Sequence, residues 1–89
     1  MTIRDEIWEF PHTMTLKVMG SVDAPLKEAV VEILEQHLED FDHANHLSEA
    51  FSSKGNYLSL SARVVVRNRD QVIGIYAALD ASEHVKVVF

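Results

Sequence analysis

Three groups of residues in this 89-residue sequence have the types that chemistry needs. The first is a set of cations and hydroxyls at alternating positions: Thr15 and Lys17 in one run, Ser59, Ser61 and Arg63 in a second, and Lys86 in a third. Gathered on one surface, such groups bind anions or acidic partners, although an ordinary solvated sheet face is also polar. The second is the loop Ser52-Ser53-Lys54-Gly55-Asn56, whose hydroxyls, ammonium and backbone amides suit an anion held through Lys54 and Asn56. It joins two strand-like runs and opens no helix, so it is not a P-loop, and a turn that satisfies its own polar groups is the plainer reading. The third is histidine. His43 and His46 are three apart and follow His37, but zinc needs three or four ligands and His37 falls on an apolar helical stripe, so no metal is expected.

The elements that must position these groups are readable from periodicity. Leu58, Leu60, Ala62, Val64 and Val66 share one parity while Ser59, Ser61, Arg63 and Arg67 share the other, which predicts a long central strand over 57–66 with one buried and one wet face. Gly55 and Asn56, the residues that best tolerate positive φ, precede it and predict a hairpin. Upstream, Phe10-Pro11 leads into Met14, Leu16 and Val18 alternating with Thr15, Lys17 and Met19, a first strand ended by Gly20. Asp23-Ala24-Pro25 reads as a helix start, with Asp23 as cap and Pro25 in the first turn. Leu26, Ala29, Val30, Ile33, Leu34, His37, Leu38 and Phe41 then recur at helical spacing, predicting a helix to about Asp40 with an acidic outer surface and a frayed end.

A connection at Asp42-His43-Ala44-Asn45 precedes a weaker edge strand over 47–51. Asn68 and Gln71 stand at capping-box spacing before a second helix, whose predicted stripe is Val72, Ile73, Tyr76 and Leu79. Gly74 inside it implies close approach to a neighbour. His84 to Phe89 alternates as a fourth strand. The order β-α-β-β-α-β predicts an α+β fold, the ferredoxin-like plait, with a four-stranded antiparallel sheet and two helices on one face. Strands one and three are central, two and four are edges. One domain is expected over 10–89, preceded by an N-terminal extension over 1–9 that docks through Trp8.

Composition narrows the function. With no cysteine there is no thiol nucleophile, disulfide or thiolate metal site. Eight basic against fourteen acidic residues give a net charge of −6, which repels polyanions, so nucleic acid is not an expected partner. RNA-binding plaits stack bases on central-strand aromatics, and here only Tyr57 is suitable. The loop after strand one, Gly20-Ser21-Val22-Asp23, lacks the arginine that acylphosphatase-like hydrolysis requires. No nucleophile–base pair is recognisable, so no enzyme activity and no cofactor are expected. The first residues are acidic where a signal peptide is basic, and no apolar run is long enough to span a bilayer; the expectation is a cytoplasmic protein without membrane contact.

Phe10-Pro11, Thr15-Leu16-Lys17-Val18-Met19-Gly20, Glu28-Ala29-Val30-Val31-Glu32, Ser52-Ser53-Lys54-Gly55-Asn56-Tyr57-Leu58-Ser59-Leu60 and His84-Val85-Lys86-Val87-Val88 together resemble the YbeD-like family of small bacterial proteins. The resemblance covers about residues 10 to 89. It implies a fold similar to ACT-type regulatory domains, an association by genomic context with lipoate metabolism, and no established reaction. By the same analogy, Gly20 with Ser21 marks a strand–helix junction near which ACT-type domains bind effectors. His12 stands where many members carry a cysteine, so no role for that thiol carries over.

The sequence therefore predicts a small regulatory or adaptor domain acting by protein–protein interaction, with an ACT-like sensor of an amino acid or small anion as the alternative. The expected contacts are Lys17, Ser59, Ser61, Arg63 and Lys86 on the open sheet face, Lys54 and Asn56 in the loop, and Gly20. A homodimer through edge strand 84–89 is also expected, because that strand is apolar and carries little charge to protect its edge.

Overall fold

The computed structural model describes residues 9–89, so the expected N-terminal extension, Trp8 included, lies outside the described residues but for Glu9. Two ten-residue strands form the centre. β1 (His12–Ser21) and β3 (Tyr57–Val66) pair antiparallel along their whole length, from His12 opposite Val66 to Ser21 opposite Tyr57. β2 (Leu47–Phe51) flanks β3 and β4 (Val87–Val88) flanks β1, giving the order β2-β3-β1-β4. With α1 (Leu26–His37) and α3 (Arg69–Ala81) against one face, this is the ferredoxin-like plait. Among the described residues, no helix is long and apolar enough to cross a membrane.

The period-two pattern of β3 explains the core. Leu58, Leu60, Ala62, Val64 and Val66 are all buried and meet Leu16 and Val18 of β1, Leu26, Val30 and Leu34 of α1, and Val72, Ile75 and Leu79 of α3. No polar side chain is buried among the described residues, so burial of apolar area, worth roughly 1.5–3 kcal/mol per large side chain, carries the fold. The α3 stripe is rotated from the expected one: Ile75 is buried, whereas Ile73 is 43% exposed and Tyr76 is half-buried. Burial of Tyr76 pushes its hydroxyl pKa up.

Capping fixes the helix ends. Asn68 Oδ1 accepts the Gln71 N–H at 2.8 Å as the spacing predicts, but Gln71 Oε1 accepts from Arg67 N–H at 2.6 Å, one residue earlier than in a regular capping box. The Gln71 amide also donates to the His37 carbonyl at 2.7 Å, holding the last turn of α1. There α1 stops, three residues short of the expected Asp40, because Leu38 turns extended and buries its side chain. Glu39 and Asp40 thus escape the unfavourable end of the helix dipole. At the other end of α1 the N-cap is Pro25, with no side-chain cap; the Asp23 N–H instead donates to Ser21 Oγ at 3.3 Å. Gly74 faces the His37 ring, but a Cβ there would meet it at 3.4 Å, an ordinary contact distance, so the close approach expected at this glycine is not one that excludes a side chain.

Two elements depart further from the sequence pattern. The expected connection 42–45 holds a single helical turn, α2 (His43–His46), capped by Asp42, whose Oδ1 accepts the Ala44 N–H at 3.0 Å. The Asn45 side-chain amide and that N–H hold the Asp42 carboxyl below its ordinary pKa. The last strand is short and irregular. Lys17 and Phe89 exchange both backbone hydrogen bonds, at 2.6 and 2.8 Å, and Met19 pairs with Val87, yet the Met19 carbonyl accepts from Lys86 N–H at 2.8 Å. Two residues therefore oppose one, as in a β-bulge. The bulge shifts the parity: Val87 and Phe89 are exposed, and Val88 is partly buried against the core.

A cationic sheet face as the candidate functional site

The helix-free face is built by the outward residues of the two central strands. Thr15 stands opposite Arg63, Lys17 opposite Ser61 and Met19 opposite Ser59, while Ser61 and Ser59 face Ser48 and Ala50 of β2. Lys17 and Arg63 are therefore diagonal neighbours, with backbones about 7–8 Å apart. Lys86 reaches the same face through the bulge, its ammonium 5.4 Å from the centre of the Tyr57 ring. The structure thus brings together five of the expected residues: Lys17, Ser59, Ser61, Arg63 and Lys86. The sequence pattern missed Phe89, Val87 and Val65 as outward companions.

Among the described residues no acidic side chain shares that face. The one acidic residue within the four strands is Glu49, and opposite Leu60 it takes the helix side, where it bonds Lys27 of α1 at 3.4 Å. Glu28, Glu32 and Glu35 lie on α1, and Asp70 and Asp80 on α3. Ion pairs among the described residues join Lys27 to Glu49, Arg67 to Asp40, His43 to Glu35 and His84 to Glu83, and none engages Lys17, Arg63 or Lys86. Two like charges at the diagonal spacing repel by roughly 0.5 kcal/mol in water, a penalty that an anion between them relieves. Hydroxyls of Thr15, Ser59 and Ser61 add donors at the same level.

The loop residues occupy one end of this face, but Gly20, expected with them as a contact, lies on the other side of the sheet, opposite buried Leu58 and against Leu26 of α1. Gly55 has φ +75°, the conformation expected for the turn. Ser52 Oγ accepts N–H groups from Asn56 at 3.2 Å and Tyr57 at 3.1 Å, the Ser52 carbonyl accepts from Gly55, and the Asn56 carbonyl accepts from Val22 N–H at 3.0 Å. These groups serve the turn, leaving the exposed Lys54 ammonium at its tip as the loop's charge. Gly20 is buried, and a Cβ on it would lie 2.5 Å from the His84 carbonyl oxygen, so its smallness lets the chain before β4 cross β1.

The histidines take separate partners. His43 Nδ1 faces Glu35 at 3.6 Å, His46 Nδ1 accepts the Asp42 N–H at 3.2 Å, and the His37 ring packs on Gly74. Among the described residues no group of three His, Asp or Glu side chains gathers as metal ligands do.

Residues 5–89 match the model of a family described as a protein of unknown function, DUF493. A UPF0250 protein of Neisseria gonorrhoeae is 45% identical over 80 residues, covering 90% of this chain and 87% of the relative. UPF0250 proteins of Shewanella sediminis and Shewanella amazonensis are 39% and 36% identical, over 94% and 98% of this chain and 92% and 96% of theirs.

Proposed function

The chain belongs to the DUF493 family, and from that premise we propose that it is a cytoplasmic adaptor or regulatory domain that binds an acidic protein surface and performs no bond chemistry. The observation that carries this reading is the segregation of charge: Lys17, Arg63 and Lys86 stand on a sheet face that holds no acidic side chain among the described residues, in a protein of net charge −6. Such a face selects its partner by complementary potential and suppresses contact with basic surfaces. The link to lipoate metabolism implied by the family resemblance makes proteins that handle lipoate the first to assay.

The test compares wild type with Lys17→Glu/Arg63→Glu. Affinity capture from cell extract identifies a retained protein, and calorimetry with that purified protein measures both variants. Both substitutions are at exposed positions, so the thermal midpoint should hold while binding is lost. Equal binding by the double variant would exclude the face.

A second copy is a further partner that the β4 edge favours. Lys17 pairs with Phe89, so by strand alternation Val88 turns its N–H and C=O outward, beside exposed Val87, Phe89 and Ile73. Proline belongs at Val88 in a test of this homodimer, since it removes an outward donor without touching the β1 ladder. Sedimentation of wild type as a strict monomer would dismiss it.

A further inference from the structure

The open face carries a pattern along the ribbon of β1 and β4. Lys17 stands beside Phe89, Met19 stands beside Val87, and Lys86 follows, its N–H on the Met19 carbonyl at 2.8 Å. Along the ribbon a cation comes first, then Phe89, Met19 and Val87, then a second cation. The backbones of Lys17 and Lys86 are roughly 10 Å apart, from the rise along a strand and the spacing across one. Phe89 is 58% exposed and Val87 46%, with Met19 partly buried beside them. The other cation of the face, Arg63, also lines the cleft that holds Glu39 and Asp40. Carboxylates are therefore drawn more to Lys17 and Lys86, which no ion pair among the described residues engages.

The form of the occupant follows from the backbone. The N–H and C=O of Lys17 are both taken by Phe89, and the C=O of Met19 by Lys86. Ser59 and Ser61 bond β2 by the same alternation. This part of the face presents side chains and no free backbone, so a segment laid across its apolar patch must satisfy its own amides, as a helix does. Spacing agrees. An extended chain returns a side chain to the same face after about 7 or 13 Å, to either side of the interval between the two lysines. A helix returns one at i+7, about 10.5 Å on, with i+3 and i+4 between them on the same stripe.

We infer that this ribbon docks an acidic amphipathic helix of a partner protein, with carboxylates at i and i+7 toward Lys17 and Lys86 and apolar side chains at i+3 and i+4 on Phe89, Met19 and Val87. The inference rests on the reading of the open face as a dock for an acidic partner, and it names the element by which that partner is recognised. Complementarity supplies the choice of occupant: cations at both ends, hydrocarbon between them, and no acidic side chain on the face among the described residues. The outer side of α1 in a second copy is a poorer fit, because its Glu28, Val31 and Glu35 follow the stripe but Glu32 puts a charge at i+4.

The probe is an acetylated alanine–glutamine peptide, closed into a helix by a lactam bridge on its far side, with glutamate at i and i+7 and leucine at i+3 and i+4. It is titrated into the isotope-labelled full chain and followed by amide resonances and fluorescence anisotropy. The Lys17, Met19, Lys86 and Val87 amides should shift most. Moving the two glutamates to i+2 and i+5, on the opposite side of the helix, should weaken binding about tenfold, and so should a central proline in the peptide or Phe89→Ser in the protein. Lys17→Glu/Lys86→Glu should abolish binding. No binding of the parent peptide overturns the inference. If the rearranged and proline peptides bind as the parent does and only the charge-reversed variant fails, the face stands as an acidic dock and the helix does not. If the charge-reversed variant binds the parent fully, the helix and the face reading fail together. Self-association of the wild type that is lost in Glu28→Lys/Glu35→Lys gives the ribbon to α1 of a second copy and overturns the assignment to a partner.

Discussion

The two ends of the β1–β3 ribbon are built in opposite ways. Where β1 ends and β3 begins, everything is tied: Gly20 lies under the His84 carbonyl, the Ser52 hydroxyl collects two amides, Asn56 accepts from Val22, and Lys86 covers Tyr57. Where β1 begins and β3 ends, both central strands run on past their flanking partners, and an exposed Arg67–Asp40 pair at 2.7 Å spans the surface. One end resists change because its backbone is crowded and paired; at the other, among the described residues, no strand flanks β3 beyond Ala62 or β1 before Lys17, so fewer backbone bonds hold it.

The sharpest way to break the comparison is Gly20→Ala. A methyl group 2.5 Å from a carbonyl oxygen must displace the chain before β4, and overpacking of this kind should cost about 3 kcal/mol in denaturant unfolding. Amide exchange measures the contrast without mutation: Ser59 and Ser61, whose N–H groups face β2, should exchange about a hundredfold more slowly than Val65, which lies beyond the β2 ladder. Ser52→Ala strips the acceptor from two amides and should cost about 1 kcal/mol, as loss of a cap does.

Smaller effects belong to the open end. The Asp42 pKa is lowered from 3.8 by its hydrogen bonds, so its contribution to α2 is complete above that value and is lost as pH falls through the folded-state pKa. Chemical shifts of Ala44 and Asn45 should therefore report fraying of α2 below about pH 4, before global unfolding. Arg67→Ala should change stability by less than about 0.5 kcal/mol, because its side chain and that of Asp40 are 63% and 77% exposed. A large loss there would mean that the open end is fastened more firmly than its geometry indicates.

How much of this could be read in advance follows from the physics of each element. The alternation of β3 and the Asn68–Gln71 spacing are local, so the central strand and the start of α3 were legible, as were the outward cations on β1 and β3. The bulge at Lys86 and Val87 was not, because a strand of two residues takes its register from β1 and not from its own pattern. For the same reason the outward turn of Phe89 escaped notice. Asp23 looked like a cap by type, yet Ser21 bonds its amide and Pro25 takes the cap position. The short reach of β2 was legible as well, since the pattern bounded it at 47–51 against 57–66 for the central strand, and the structure has those bounds.

The separation of charge across the sheet gives the molecule an electric dipole, and its thickness decides who senses it. Electrostatic influence decays over about 8 Å at physiological ionic strength. The narrowest dimension of the protein is 21 Å, well over twice that distance. A body approaching the strand side is therefore screened from the glutamates of α1 and meets the field of Lys17, Arg63 and Lys86 almost alone, as though the protein were positive. Its net charge of −6 describes only what is felt from far away in dilute salt.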